Sequence, residues 1–83
     1  MKVTDLKENE CIHCETEEQA NAICKLMHEE GLTWHGGDSY LEINEYSIYK
    51  SKTCYYPAGG SFYCIDYSKE DNNVIYKASE FLT

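Results

Sequence analysis

Apolar residues recur with a helical period over one long stretch of this chain. Ala20, Ile23, Leu26 and Met27 lie three and four positions apart, with Cys24 at the edge of the stripe. That spacing puts them on one side of an α-helix. Glu18, Asn21, Lys25, His28 and Glu29 fall on the other side, which water solvates. Both ends of the stretch carry stop signals. Thr16 and Gln19 stand at capping-box spacing: the hydroxyl accepts the N–H of Gln19, and the amide reaches back to the N–H of Thr16. Glu17 and Glu18 sit at the positive end of the helix dipole, which favours acids. Gly31 takes the left-handed conformation cheaply as the C′ residue, and Leu32 then folds back onto Met27. The pattern predicts a helix over residues 17–30, the one long helix of the chain.

Elsewhere the pattern has a period of two. Across residues 10–15, Ile12 and Cys14 face one way and Cys11 and His13 the other, as in a half-buried strand. Residues 32–35 read as a second strand, cut by the turn Gly36-Gly37-Asp38. Tyr40, Leu41 and Ile43 resume an extended run, alternating with Glu42, Asn44 and Glu45. Residues 48–56 are rich in aromatic and β-branched types and read as a third strand. Pro57-Ala58-Gly59-Gly60 turns the chain into a fourth strand over residues 61–67, giving an antiparallel hairpin. Residues 74–77 form a fifth, and Phe81 and Leu82 dock a terminal turn on the core. Residues 1–9 are a polar lead-in, ordered near Leu6. The predicted class is α+β, with one amphipathic helix packed on one face of a small, mainly antiparallel sheet (β-α-β, then a β-meander). At 83 residues the chain is a single domain, 1–83, burying about 60–65% of its unfolded surface.

Charge changes the range of partners. Fifteen acids against seven Lys and Arg give a net charge of −8. Direct DNA or RNA binding is not expected, because no basic patch offsets phosphate repulsion. The same holds for an anionic membrane, and no apolar run approaches a spanning length or a signal-peptide core. The expected location is the cytoplasm. A basic partner surface suits this balance, although solvation alone also accounts for it. The five cysteines are an odd number without a secretion signal, so free thiols are expected rather than a disulfide framework.

Candidate chemistry is sparse. Cys11-Ile12-His13-Cys14 is a C-x-x-C, but a structural zinc site needs four ligands, normally from two such pairs. No second pair exists, and residues three apart on a strand point to opposite faces. A redox C-x-x-C places its first thiol at a helix N-terminus, whereas here the cap is Thr16. The turns at Gly36-Gly37 and Gly59-Gly60 lack the Lys-Ser/Thr or G-x-G-x-x-G context of a phosphate cradle. His13, His28 and His35 are available as bases, and Cys54 or Cys64 as a nucleophile, but no triad order emerges. The expectation is a protein that is not an enzyme, without a catalytic residue, cofactor or bound metal.

The unusual feature is eight tyrosines and Trp34. Half-buried tyrosines on a sheet account for many of them. Two binding sets remain. A protein-binding face uses Glu18, Glu29, Glu42 and Glu45 to offer carboxylates to a basic groove. An alternative nucleotide set uses Trp34, Tyr49, Tyr55 and Tyr63 to stack on a base, with Lys50 and Lys52 for phosphate. It would suit a homo-oligomer with pockets between subunits. A zinc-stabilised module on Cys11 and Cys14 is the third alternative.

The segments IHCETEEQA…CKLMHEEGLTWHGGDSY, YKSKTCYYPAGGSFYCIDY and VIYKASEFL together resemble a diffuse family of small tailed-phage and prophage accessory proteins. In these a T-E-E-A helix ends in G-x-x-W, a tyrosine-rich hairpin follows, and an I…F tail closes the chain. The motifs here, Thr16-Glu17-Glu18, Gly31 with Trp34, and Ser79-Glu80-Phe81, are structural and transfer no catalytic residue. The resemblance implies an early-expressed accessory protein of the host-cell cytoplasm. Such proteins act by stoichiometric binding against host defence, in the manner of an anti-CRISPR, or by sequestering a nucleotide second messenger.

Overall fold

A computed structural model describes residues 1–82. The helix α1 spans Glu17–Glu29. Thr16 caps it, its hydroxyl accepting the Gln19 N–H at 3.1 Å. The return bond from the Gln19 amide goes one residue further back than expected, to the N–H of Glu15 at 2.8 Å. The C-terminus closes as the glycine signal predicts. Gly31 has φ 81, its N–H bonds the His28 carbonyl at 2.9 Å, and the Leu32 N–H bonds Met27 at 3.0 Å. Those two bonds are the Schellman pair.

The strands are β1 (Glu10–Cys14), β2 (Thr53–Tyr56), β3 (Ser61–Cys64) and β4 (Val74–Lys77). They form one sheet in the order β3-β2-β1-β4. β1 pairs antiparallel with β2, as β2 does with β3, while β1 and β4 run parallel. The fold is α+β, with the one long helix on one sheet face.

Alternation along β1 sorts the core into two layers. Ile12 and Cys14 join Tyr55, Ala20, Ile23, Cys24 and Met27 beneath α1. Cys11, Cys54 and Tyr56 face the other way, against Ile65 and Ile75. The lead-in is part of the helix-side core: Val3 and Leu6 are buried, around a short 3-10 turn at Val3–Asp5. Phe81 docks on that core as predicted, whereas Leu82 stays exposed.

Three strand assignments need correction. Residues 32–35 form no strand; they cross the end of the β2–β3 hairpin, where the His35 N–H bonds the Gly60 carbonyl at 2.9 Å. Trp34 enters the core as a plug, packing on Tyr40 with ring centroids 4.5 Å apart. The expected strand over 48–56 begins only at Thr53. Before it come a one-turn helix α2 (Tyr46–Tyr49) and a 3-10 turn at Lys50–Lys52. The strand over 61–67 stops at Cys64, and Ile65–Glu70 forms the short helix α3. It covers the sheet face opposite α1, with Ser68 fully buried. The extended run expected over 40–43 is instead a turn anchored on Ser39, whose carbonyl accepts the Glu42 N–H at 3.1 Å.

Candidate functional site

The segment 40–49 is tied to the fold by polar contacts that converge on its backbone. The Trp34 Nε1–H donates to the Ile43 carbonyl at 2.7 Å. The buried Tyr55 hydroxyl donates to the Asn44 carbonyl. Asn44 Nδ2 donates to Asn21 Oδ1 of α1 at 2.6 Å, and Asn44 Oδ1 accepts the Tyr46 N–H at 2.9 Å. The Tyr46 hydroxyl in turn donates to the Glu15 carbonyl at 2.9 Å. The loop is thus hydrogen-bonded to α1, to the Trp34 turn, to β2 and to the backbone just before α1.

Tyr40 enters the core, but four other apolar side chains of the segment lie open to solvent. Leu41 is 59% and Ile48 56% exposed, and Ile43 and Tyr49 are also open to solvent. Glu42 and Glu45 stand among them. Two backbone positions bracketing α2 are strained: Glu45 has φ 56, and Lys50 has φ 52 with ψ −124. Neither residue type prefers that region, and each such position costs of order 1–3 kcal/mol. The fold therefore holds this segment in shape at some expense, while leaving its apolar groups in water.

Two clefts flank the segment. One, of about 290 Å³, lies between the Trp34 turn, Ile43, Glu45 and the edge residues Phe62 and Tyr63. The other, of about 390 Å³, lies between α1 and the loop, with Asn21, Lys25, Leu41 and Glu42 on its walls. The first sets Trp34, Phe62 and Tyr63 beside the carboxylates of Asp38 and Glu45; the second carries both Lys25 and Glu42.

The four acids of the protein-binding set do not form one patch. Glu42 and Glu45 belong to the loop. Glu18 and Glu29 are exposed on α1, eleven residues apart and so about 16 Å along its axis. The nucleotide set also fails to assemble. Tyr55 is fully buried and Trp34 nearly so, which removes both as stacking platforms. Tyr49 packs on Phe62 on the α1 side, whereas Tyr63 stands opposite Cys54 in the register, on the other side. Lys52 is engaged with Asp66 at 3.3 Å, and Lys50 is exposed.

The thiols divide between the two core layers, Cys11 with Cys54 on one side and Cys14 with Cys24 on the other. Cys11 and Cys14 enter opposite core layers, and among the described residues no group of three His, Cys, Asp or Glu is placed to hold a metal ion. His13 stands across from Cys54, but its Nε2 donates to the Ser51 carbonyl at 2.7 Å. The Cys54 thiol is pushed up, first by its hydrogen bond with Cys11 and then by burial. Burial likewise pushes up Cys14 and Cys24. Such thiols are poor nucleophiles. Cys64 is half-buried, its sulfur donating to Asp66 Oδ2 at 3.7 Å.

Charge singles out Glu42 and Glu45 in the sequence, but not the exposed Leu41, Ile43 and Ile48 beside them. The available signal was their interleaving with acids and Asn in a stretch bounded by turns. No protein-family model, no curated protein and no solved structure matches this chain.

Proposed function

We propose that this chain is a phage- or prophage-encoded accessory protein that works by binding rather than by turnover. Its target is a host defence or nucleic-acid-handling protein in the host cytoplasm, which it inhibits in the manner of an anti-CRISPR. The docking element is the segment 41–49. The observation that carries this reading is the combination of a tightly anchored backbone with outward Leu41, Ile43, Ile48 and Tyr49. Exposed apolar side chains grouped together and rimmed by polar residues mark interaction surfaces. Glu42 and Glu45, in a chain of net charge −8, select a partner whose apolar pocket has a basic rim.

Burying a fully exposed Ile or Leu side chain contributes about 1.5–3 kcal/mol; Ile48 is 56% exposed, so covering the rest of it is worth about 0.8–1.7 kcal/mol, roughly four- to eighteen-fold in affinity. The test is capture of a nuclease or other defence effector by tagged protein, followed by assay of that effector's activity. Wild-type protein inhibits it, Ile48→Asp and Leu41→Asp lose inhibition, and Glu42→Lys with Glu45→Lys weakens capture most at low salt. Equal inhibition by Ile48→Asp and wild type would remove the loop as the docking element. The nucleotide reading has less support, because Trp34 and Tyr55 are occupied inside the fold.

A further inference from the structure

The sheet face opposite α1 carries a third cleft, of about 360 Å³, with a different composition. Its aromatic wall is Tyr56, Tyr63 and Tyr67; its acids are Glu8 and Asp71. The wall is built in sequence from a fixed base. Tyr56 is buried, and its hydroxyl is held by Ser68 Oγ and by Asn73 Nδ2, the latter donating at 2.7 Å. Tyr63 stands edge-on to Tyr56, with centroids 5.4 Å apart at 81°. Tyr67 stacks on Tyr63 at 4.7 Å and 28°. The two outer rings are 40% and 46% exposed. Both are therefore partly open to solvent, beside a Tyr56 that burial and its hydrogen bonds hold in place.

No lysine lines this cleft. The ion pair found among the described residues is Lys52 with Asp66, so neither Glu8 nor Asp71 is in direct contact with a lysine there. Aromatic faces beside unpaired carboxylates attract cations twice over, through the ring quadrupole and through direct charge. The planar guanidinium suits this better than an ammonium. It stacks flat on a tyrosine and offers a forked pair of donors to a carboxylate.

We propose that the Tyr56–Tyr63–Tyr67 cleft takes the guanidinium group of an arginine side chain from a basic protein segment. The arginine lies against the open face of the tyrosine wall and donates to Glu8 or Asp71. Only the origin of the arginine, a protein partner, rests on the binding reading above; the chemistry of the cleft does not.

The test titrates the full chain with a short, end-blocked and otherwise uncharged peptide bearing one arginine, followed by amide NMR shifts. Matched peptides carry lysine or citrulline at the same position. The expected result is saturable shifts at Tyr63, Tyr67, Asp71 and Asn73, several-fold weaker binding for lysine, and none for the uncharged citrulline. Glu8→Gln with Asp71→Asn lowers arginine affinity tenfold or more, with an unchanged urea midpoint showing an intact fold. Tyr67→Leu, which keeps an apolar side chain but removes the π-face, also weakens it. Citrulline binding as well as arginine would overturn the proposal, as would shifts spread over the acidic face of α1. Effector inhibition that survives Glu8→Gln with Asp71→Asn, together with a flat arginine titration, overturns this cleft and leaves the 41–49 docking reading standing. Arginine binding without effector inhibition does the reverse.

Discussion

Replacing each of three glycines by alanine separates backbone strain from steric collision, and it probes the turn that shapes the cleft beside Trp34. Gly60 has φ +65, and an added Cβ would lie 2.6 Å from the His35 nitrogen, 2.9 Å from the Thr33 oxygen and 3.0 Å from the Trp34 carbonyl carbon. All three are backbone atoms of the turn that crosses the hairpin, so no side chain can swing clear. Left-handed backbone costs an alanine about 1 kcal/mol. Forcing packed backbone apart adds about 1–3 kcal/mol. The His35 to Gly60 hydrogen bond is the first contact to suffer, at about 1 kcal/mol. Gly60→Ala should therefore destabilise by about 3–5 kcal/mol, a large share of the roughly 4–12 kcal/mol expected for a chain of this size. Gly31 has φ +81 but open space around its Cα, so Gly31→Ala should cost only about 1 kcal/mol. Gly36 has neither a positive φ nor a neighbour within 4 Å; Gly36→Ala should be neutral, or stabilising by a few tenths of a kcal/mol through the unfolded chain. Urea unfolding followed by the fluorescence of the single tryptophan, buried Trp34, reads all three. Equal midpoints for Gly60→Ala and Gly31→Ala would refute the collision argument and detach the Trp34 turn from the hairpin.

Thiol alkylation of the native protein should modify Cys64 first, since Cys11, Cys14, Cys24 and Cys54 are buried; mass-spectrometric mapping that finds Cys24 labelled as fast as Cys64 would contradict the packing under α1. Stability should fall at alkaline pH. Burial pushes Cys24 from 9.0 to about 11 and Tyr40 from 10.0 to about 12. Both groups keep their protons in the fold and lose them sooner in the unfolded chain, so their contribution is whole below pH 9.0 and drains as pH rises to about 12. Urea midpoints measured across that range should decline, with Cys24→Ala flattening the early part; a level profile would contradict the assignment.

The helix was legible because every one of its signals is local. Cap, dipole, stripe and glycine stop all lie within residues 16–32, and tertiary packing agrees with each. The tyrosine-rich half misled because strand propensity reports fit to a half-buried pleated surface, not a backbone preference. Ile48 and Tyr49 have strand-like composition but no neighbour to pair with, so the chain coils until Thr53 meets Cys14. Ile65 and Tyr67 similarly look like strand. Asp66 in the first turn and Lys69 in the last favour a helix by the dipole, and the buried Ser68 gains a partner in Tyr56 only if the chain turns there.

Charge alone indicated what kind of partner to expect but not where it would dock. Fifteen acids spread over 83 residues place carboxylates everywhere, and Glu18 and Glu29 are indistinguishable by type from Glu42 and Glu45. What separates them is the company they keep in space. On α1 the acids stand over a helix whose apolar stripe is already buried, so water is their natural partner. On the 41–49 segment they stand beside apolar side chains that the fold could not take in, because the space beneath α1 is filled by Trp34, Tyr40 and Tyr55. Those same three aromatics crowd the core on which the loop sits, and two of them, Trp34 and Tyr55, hold its backbone through their polar tips. The tyrosines and tryptophan that look, in the sequence, like a ligand-stacking surface thus serve from below. They set the shape of a neighbouring surface whose own residues, Leu41, Ile43 and Ile48, are ordinary aliphatics. The proposed docking surface leaves only a weak signal in the sequence, since its exposed side chains and the residues that hold its backbone are different.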